Sequence, residues 1–179
     1  VTAAVEQLGH LDVLGNVAGI ARADHFTDVT VEQYRLMMAI NTDAPFFLSQ
    51  AAIPHLLASP TGGNIVNVAS NAGLMGQAYT ATYCMSKGAV VQLTRSLAME
   101  YVKTGLRVNA IAPAGVDTPL ARNFSVPPDI DGTLMAPYVG FRPPGTADDV
   151  AAMFAHLISA ECGSVHGAVV SMDGVVTAG

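Results

Sequence analysis

Short, apolar, β-branched segments alternate with amphipathic stretches of helical spacing along the whole chain, and this alternation constrains the fold more than any other feature. Leu11–Leu14, Ile65–Ala69, Leu106–Ile111 and Ala168–Met172 read as buried strands. Between successive strands lies enough chain for at least one helix. A strand followed by a helix before the next strand needs a crossover, so the predicted sheet is parallel with helices on both faces. The expected class is α/β, a doubly wound parallel sheet. Such sheets bind ligands outside the carboxyl ends of their strands, which singles out the residues just after Leu14, Ala69 and Ile111.

The intervening segments carry their own punctuation. Thr2–Leu8 has apolar residues at helical spacing, and Gly9 falls where a C-cap would. Thr30 and Gln33 fit a capping box that opens a helix running to about Ile40. A second helix is expected over Thr42–Leu57, with Pro45 tolerated in its first turn and Pro54 kinking it near the end. Thr80–Lys103 reads as one long helix with Val90, Leu93, Leu97 and Tyr101 on a shared stripe. Ala112–Pro144 reads as a Pro-containing loop. Thr146 caps a helix to about Ser159, with Asp148 and Asp149 at its positive end. No linker or repeat interrupts the 179 residues, so residues 1–179 are read as a single domain.

Composition removes whole classes of function. With 51% hydrophobic and 12% charged residues the chain is no disordered polymer. A net charge of −6 without any Lys/Arg cluster argues against a nucleic-acid or anionic-membrane partner. Cys84 and Cys162 are too few to staple a fold of this size, so a reducing compartment, the cytoplasm, is expected. His10, His25, His55, His156 and His166 lack ligand spacing, and no metal is expected. Met75 and Met135 are candidates to line a substrate pocket.

One constellation carries chemistry. Ser70 closes a strand, and Tyr83 and Lys87 stand four residues apart at the start of the next helix, hence on one face. A phenol titrates near pH 10, too high for ready proton exchange at neutrality, and an ammonium beside it is expected to lower that value. A Ser hydroxyl could then share a substrate oxygen with the tyrosine, a site suited to an alcohol or a carbonyl. A Tyr-x-x-x-Lys alone is more often a surface pair. Its placement after a strand-closing serine makes the difference.

These residues, with several others in order, resemble the short-chain dehydrogenase/reductase family, classical type. Asn16-Val17-Ala18-Gly19 is similar to the Asn-Asn-Ala-Gly motif after the family's fourth strand, and Asn41 to its helix-interrupting asparagine. Ile65–Ser70 and Tyr83–Lys87 match the serine strand and the catalytic pair. Arg107–Pro113 leading into Gly115-Val116-Asp117-Thr118 resembles the Pro-Gly-x-Val-x-Thr loop, and His166-Gly167 with Met172-Asp173-Gly174 resembles the close of the domain.

The resemblance implies a Rossmann-like fold and hydride transfer between NAD or NADP and a secondary alcohol or ketone. Tyr83 would be the acid/base, Lys87 would lower its pKa and bind the nicotinamide ribose, Ser70 would hold the substrate oxygen, and Asn41 would position a water. The backbone near Asn16, Ala18 and Gly19 would line the cofactor, together with Pro113, Gly115, Val116 and Thr118 and with Tyr83 and Lys87. Homodimers or homotetramers are implied, packed through Thr42–Leu57, Thr80–Lys103 and the final strand.

Departures from the pattern are local. Val17 replaces the second asparagine, whose side chain would tie neighbouring strands. Ala114 and Val175 stand where glycines are usual. Nothing like Gly-x-x-x-Gly-x-Gly occurs, so the family's first three strands and its pyrophosphate cradle are expected to be absent, leaving the C-terminal catalytic portion. The edge exposed at Leu11–Leu14 is then expected to be covered by another segment or another chain. The alternative reading is a non-catalytic remnant that keeps the core and serves as an assembly or binding module. A sugar-nucleotide epimerase or dehydratase shares Tyr-x-x-x-Lys, but the residues after Lys87 close back into a strand and leave no substrate domain.

Overall fold

The computed structural model describes residues 1–140 and 142–178. Helix α1 (Thr2–Leu8) leads into strand β1 (Val13–Asn16), and α2 (Val31–Met38) and α3 (Ala44–Leu57) precede β2 (Asn64–Val68). Helix α4 (Ala81–Glu100) crosses to β3 (Arg107–Pro113). Short helices α5 (Pro119–Arg122) and α6 (Ala136–Val139) and the longer α7 (Ala147–Ile158) come before β4 (Val169–Met172). The four strands pair in parallel in the order β1-β2-β3-β4, with Ile65 opposite both Leu14 and Val108, and β1 forms one edge.

Strand alternation sends successive side chains to opposite layers. Ile65 and Val108 join Ala52, Ile53 and Leu56 of α3 and Ala98 of α4 in one core. Val66 and Ile111 face Leu157 of α7 and Cys162 on the other side. The sheet is therefore covered on both faces, as its mainly apolar strands require.

Element boundaries differ from the sequence reading for local reasons. The first strand lies two residues later than Leu11–Leu14, because the ladder extends to Gly15 and Asn16 opposite Val66 and Asn67. The Asn16 amide donates to Asn67 Oδ1 at 2.8 Å and to Ser49 Oγ at 3.3 Å, so this residue supplies the inter-strand tie that Val17 cannot. Asn67 in turn donates to Thr94 Oγ1 of α4 at 2.9 Å. That contact explains why the buried stripe of α4 is Lys87, Val90, Val91, Thr94 and Ala98, while Leu93, Leu97 and Tyr101 are only half-buried. Small residues let the helix lie close to the sheet. The segment Ala112–Pro144 is less irregular than expected: besides the end of β3 it carries α5 and α6, the first capped by Thr118, whose hydroxyl accepts from Ala121 N at 3.4 Å.

Between α2 and α3 the chain forms one turn of π-helix, Ala39–Asp43. The extra residue of that turn rotates Asn41 inward, where it is fully buried. Helix α3 accepts Pro45 in its first turn and continues through Pro54 to Leu57.

Val175 does adopt the backbone its usual glycine would, with φ at 76°. A β-branched residue is strained there, and its side chain is 60% exposed and buries little in return. Val175→Gly is expected to stabilise the fold by about 1 kcal/mol, measured by chemical denaturation. Ala114 has no positive φ, so the loop after β3 takes a path that needs no glycine at that position.

Candidate active site

The carboxyl ends of β2 and β3 and the start of α4 enclose a cleft of about 630 Å³. Ser70 lies just past β2 and caps a single 3₁₀ turn, Asn71–Gly73, accepting from Ala72 N at 3.2 Å. Its hydroxyl has Asn71 Oδ1 at 3.2 Å and the Pro113 carbonyl at 3.4 Å as alternative acceptors. Tyr83 and Lys87 project from the first turns of α4. The Lys87 Nζ donates to the Val68 carbonyl at 2.8 Å and lies 6.0 Å from the centre of the Tyr83 ring. One hydrogen bond thus docks the start of α4 on the end of β2.

That docking depends on Gly73. A Cβ there would sit 2.6 Å from the Lys87 carbonyl oxygen, a backbone atom that cannot step aside. Gly73→Ala is expected to push α4 off the 3₁₀ turn and separate Tyr83 from Ser70. Enzyme assays should show a loss of about 100-fold or more, larger than the accompanying fall in melting temperature explains.

Burial pushes the Tyr83 phenol above its ordinary value, with the Ser70 hydroxyl pulling partly the other way. The net direction is upward, contrary to the sequence expectation, because burial of the ring outweighs what pulls the value down. Burial also pulls the Lys87 ammonium down to about 8.

Of the residues singled out in the sequence, Ser70, Tyr83, Lys87, Gly19, Pro113, Gly115, Val116 and Thr118 all line the cleft. Three do not. The Asn16 side chain is engaged between strands, and neither Asn16 nor Ala18 lines the cleft, which Val17, Ile20 and Ala21 line instead. Asn41 is buried behind the wall, its Oδ1 accepting from Ile20 N at 2.9 Å and its Nδ2 donating to the Ile20 carbonyl at 2.8 Å and to Ser86 Oγ at 3.0 Å. It holds the segment after β1 against α4. Met75 and Met135 also lie outside the lining.

Other lining residues were not read from sequence, notably Asn71, Gln77 and Phe154. Asn71 and Gln77 look like ordinary turn residues, and Phe154 like core. Leu120, Phe124 and Tyr138 come from the segment Ala112–Pro144. Tyr138 anchors that segment by donating from its hydroxyl to the Ala78 carbonyl at 2.7 Å, and Asp131 N donates to the Tyr79 hydroxyl at 3.0 Å. Tyr79 itself has φ at 63°, a strained hub beneath the segment.

Comparison with known proteins places this arrangement. The family model described as Enoyl-(Acyl carrier protein) reductase matches residues 1–177. The 2-(R)-hydroxypropyl-CoM dehydrogenase of Xanthobacter autotrophicus is 36% identical over 181 residues, which cover 99% of this chain and 72% of that protein. The chain belongs to the short-chain dehydrogenase/reductase family. As such it is an oxidoreductase chain with a Rossmann-like fold. A short chain dehydrogenase from Mycobacterium paratuberculosis bound to NAD superposes with a TM-score of 0.90 at 28% identity, covering 99% of this chain and 68% of that one. ElxO with NADP bound superposes with a TM-score of 0.84 at 29% identity, covering 99% and 72%.

Among the described residues no group of His, Cys, Asp and Glu could hold a metal ion, and no helix is long and apolar enough to cross a membrane. The cleft does suit a nicotinamide nucleoside. Lys87 is 5% exposed yet uses one of its three donors, leaving two for a ribose diol. A Cβ on Gly19 would lie 3.3 Å from both Lys87 Nζ and Asn41 Oδ1 and crowd that same place.

Proposed function

We propose that residues 1–179 are the C-terminal catalytic portion of a single-domain, NAD- or NADP-dependent oxidoreductase acting on a small secondary alcohol or ketone. The observation that carries this reading is the convergence of Ser70, Tyr83 and Lys87 on one cleft at the carboxyl end of a parallel sheet. A nicotinamide cofactor supplies or accepts the hydride. Tyr83 gives its phenolic proton to the carbonyl oxygen during reduction and takes it back during oxidation. Ser70 turns its hydroxyl from Asn71 or Pro113 to that same oxygen and fixes its position. Lys87 holds the ribose and, while charged, favours the phenolate. Asn41 acts by placement: its amide fixes the backbone at Ile20, next to Gly19. Val116 and Thr118 border the nicotinamide end. Relatives bound to NAD and to NADP support either cofactor.

The test is reduced-cofactor oxidation by the full-length protein across a panel of small ketones. Turnover that needs NADH or NADPH supports the reading, and its absence with every ketone counts against it.

The two free cysteines fit a reducing, cytoplasmic setting. We also place the protein in homodimers or homotetramers, because α3 exposes Phe46, Phe47 and Leu48 and α4 exposes Met85 and Met99. Phe47→Glu is expected to shift the species seen in size-exclusion light scattering towards monomer; a wild-type monomer would refute the assembly.

A further inference from the structure

The hydride transfer proposed above makes no use of two amides beside Ser70. Asn71 is 4% exposed, and its Oδ1 accepts from Ser70 Oγ and from Gln77 Nε2, both at 3.2 Å. Its own Nδ2 is buried with no partner among the described residues. A buried donor left unpaired is costly and calls for an acceptor. The amide pair is thus one acceptor short. Gln77 is half-buried and lines the cleft, and its bond to Asn71 leaves the amide oxygen and a second N–H for other partners. The cleft is lined as well by apolar Leu120, Ala121 and Phe124. Apart from Lys87, no lysine or arginine lines the cleft among the described residues.

We propose that Gln77, held in place by Asn71, is a specificity-determining residue that hydrogen-bonds a second substrate oxygen on the carbon next to the reacting one. The preferred substrates are then uncharged α-hydroxy ketones and the vicinal diols they interconvert with. This rests on the oxidoreductase reading above. The spacing supports it: Ser70 Oγ and Gln77 Nε2 share one acceptor atom, so they lie at most two hydrogen-bond lengths apart. Oxygens on adjacent carbons are separated by about one such length, so one can meet Ser70 and Tyr83 while the other meets Gln77. A primary amide both donates and accepts, which suits a hydroxyl. A carboxylate would find no cation beside Gln77 to balance it.

In reduction the hydride goes to the carbonyl carbon and the Tyr83 proton to its oxygen. The neighbouring hydroxyl is unchanged and serves as a handle. Oxidation of the diol runs the same steps backwards, with the hydride passing to the oxidised nicotinamide and the proton to Tyr83.

The test compares kcat/KM of the full-length protein for two matched pairs, 2-hydroxycyclohexanone with cyclohexanone and 3-hydroxybutan-2-one with butan-2-one. A site built to bond a hydroxyl rejects the analogue lacking it, so a preference of about 100-fold or more is expected. Gln77→Leu should shrink that preference about tenfold or more, and Gln77→Asn should restore part of it. A wild-type preference below about threefold, or one that Gln77→Leu leaves intact, overturns the inference and leaves the oxidoreductase reading standing. If none of the four ketones is reduced while others in the wider panel are, the inference alone falls. Failure of every ketone removes both.

Discussion

Tyr83→Phe is expected to lower kcat of the full-length protein by about 10³-fold, the middle of the range that a positioned acid or base supplies. Only the hydroxyl is lost. The ring keeps its place at the start of α4, and the bonds that dock this helix run through Lys87 to the Val68 carbonyl and through Thr94 to Asn67. The melting temperature should therefore stay close to that of the wild type. Stopped-time cofactor assays and circular-dichroism melts on the same preparations check both halves. Burial shifts the phenol further towards its protonated form, which suits its role as the acid in reduction. A variant that kept most of its rate would show that the proton comes from elsewhere.

How much of this was legible in the sequence depends on whether a residue acts through its neighbours in the chain or across space. Strands β2 and β3 were readable because their mainly apolar runs are buried on both faces, and the half-buried β1 and β4 because aliphatic residues dominate them. The Thr30–Gln33 and Thr146 helix starts were readable because capping is local; Asp149 completes the second box by accepting from Thr146 N at 2.8 Å. Tyr83 and Lys87 share a face by helical spacing alone. The Asn16 side chain ties Asn67 and Ser49, and no local pattern reveals such a tie across space. Asn41 was expected at a water. Its burial follows from a π turn that adds one residue to the helical count, and periodicity of 3.6 does not register that turn. Gln77 is not legible because a glutamine in a turn carries no signal until Asn71 and the cleft wall are seen beside it. The direction of the phenol's pKa is hidden for the same kind of reason. Spacing puts the lysine nearby, but only the packed structure says how far the ring is removed from water.

Lys87→Met is expected to lower kcat/KM by about 100-fold or more and to weaken cofactor binding, because both the phenolate's cation and the ribose donors are lost. Its effect on stability should run the other way below pH 8. The folded lysine titrates at about 8 against an ordinary value of 10.5, the result of burial. Below 8 it is charged in both the folded and the unfolded chain, and the folded state carries the full desolvation penalty, about 3 kcal/mol at 1.36 kcal/mol per pH unit. Methionine has nearly the same reach and removes that penalty, though it leaves the Val68 carbonyl without its donor, at about 1–3 kcal/mol. Between 8 and 10.5 the unfolded chain binds a proton that the folded chain has released, so wild-type stability rises with pH through this window. The variant has no such slope. Relative to wild type, Lys87→Met should be most favoured below pH 8 and should lose that advantage as the pH climbs towards 10.5. Denaturant titrations of both proteins at pH 7, 9 and about 10.5 measure the difference directly. A stability difference that stayed flat across this range would mean that Lys87 is hydrated in the folded protein. Its donors would then be engaged by water, and not held for a ribose.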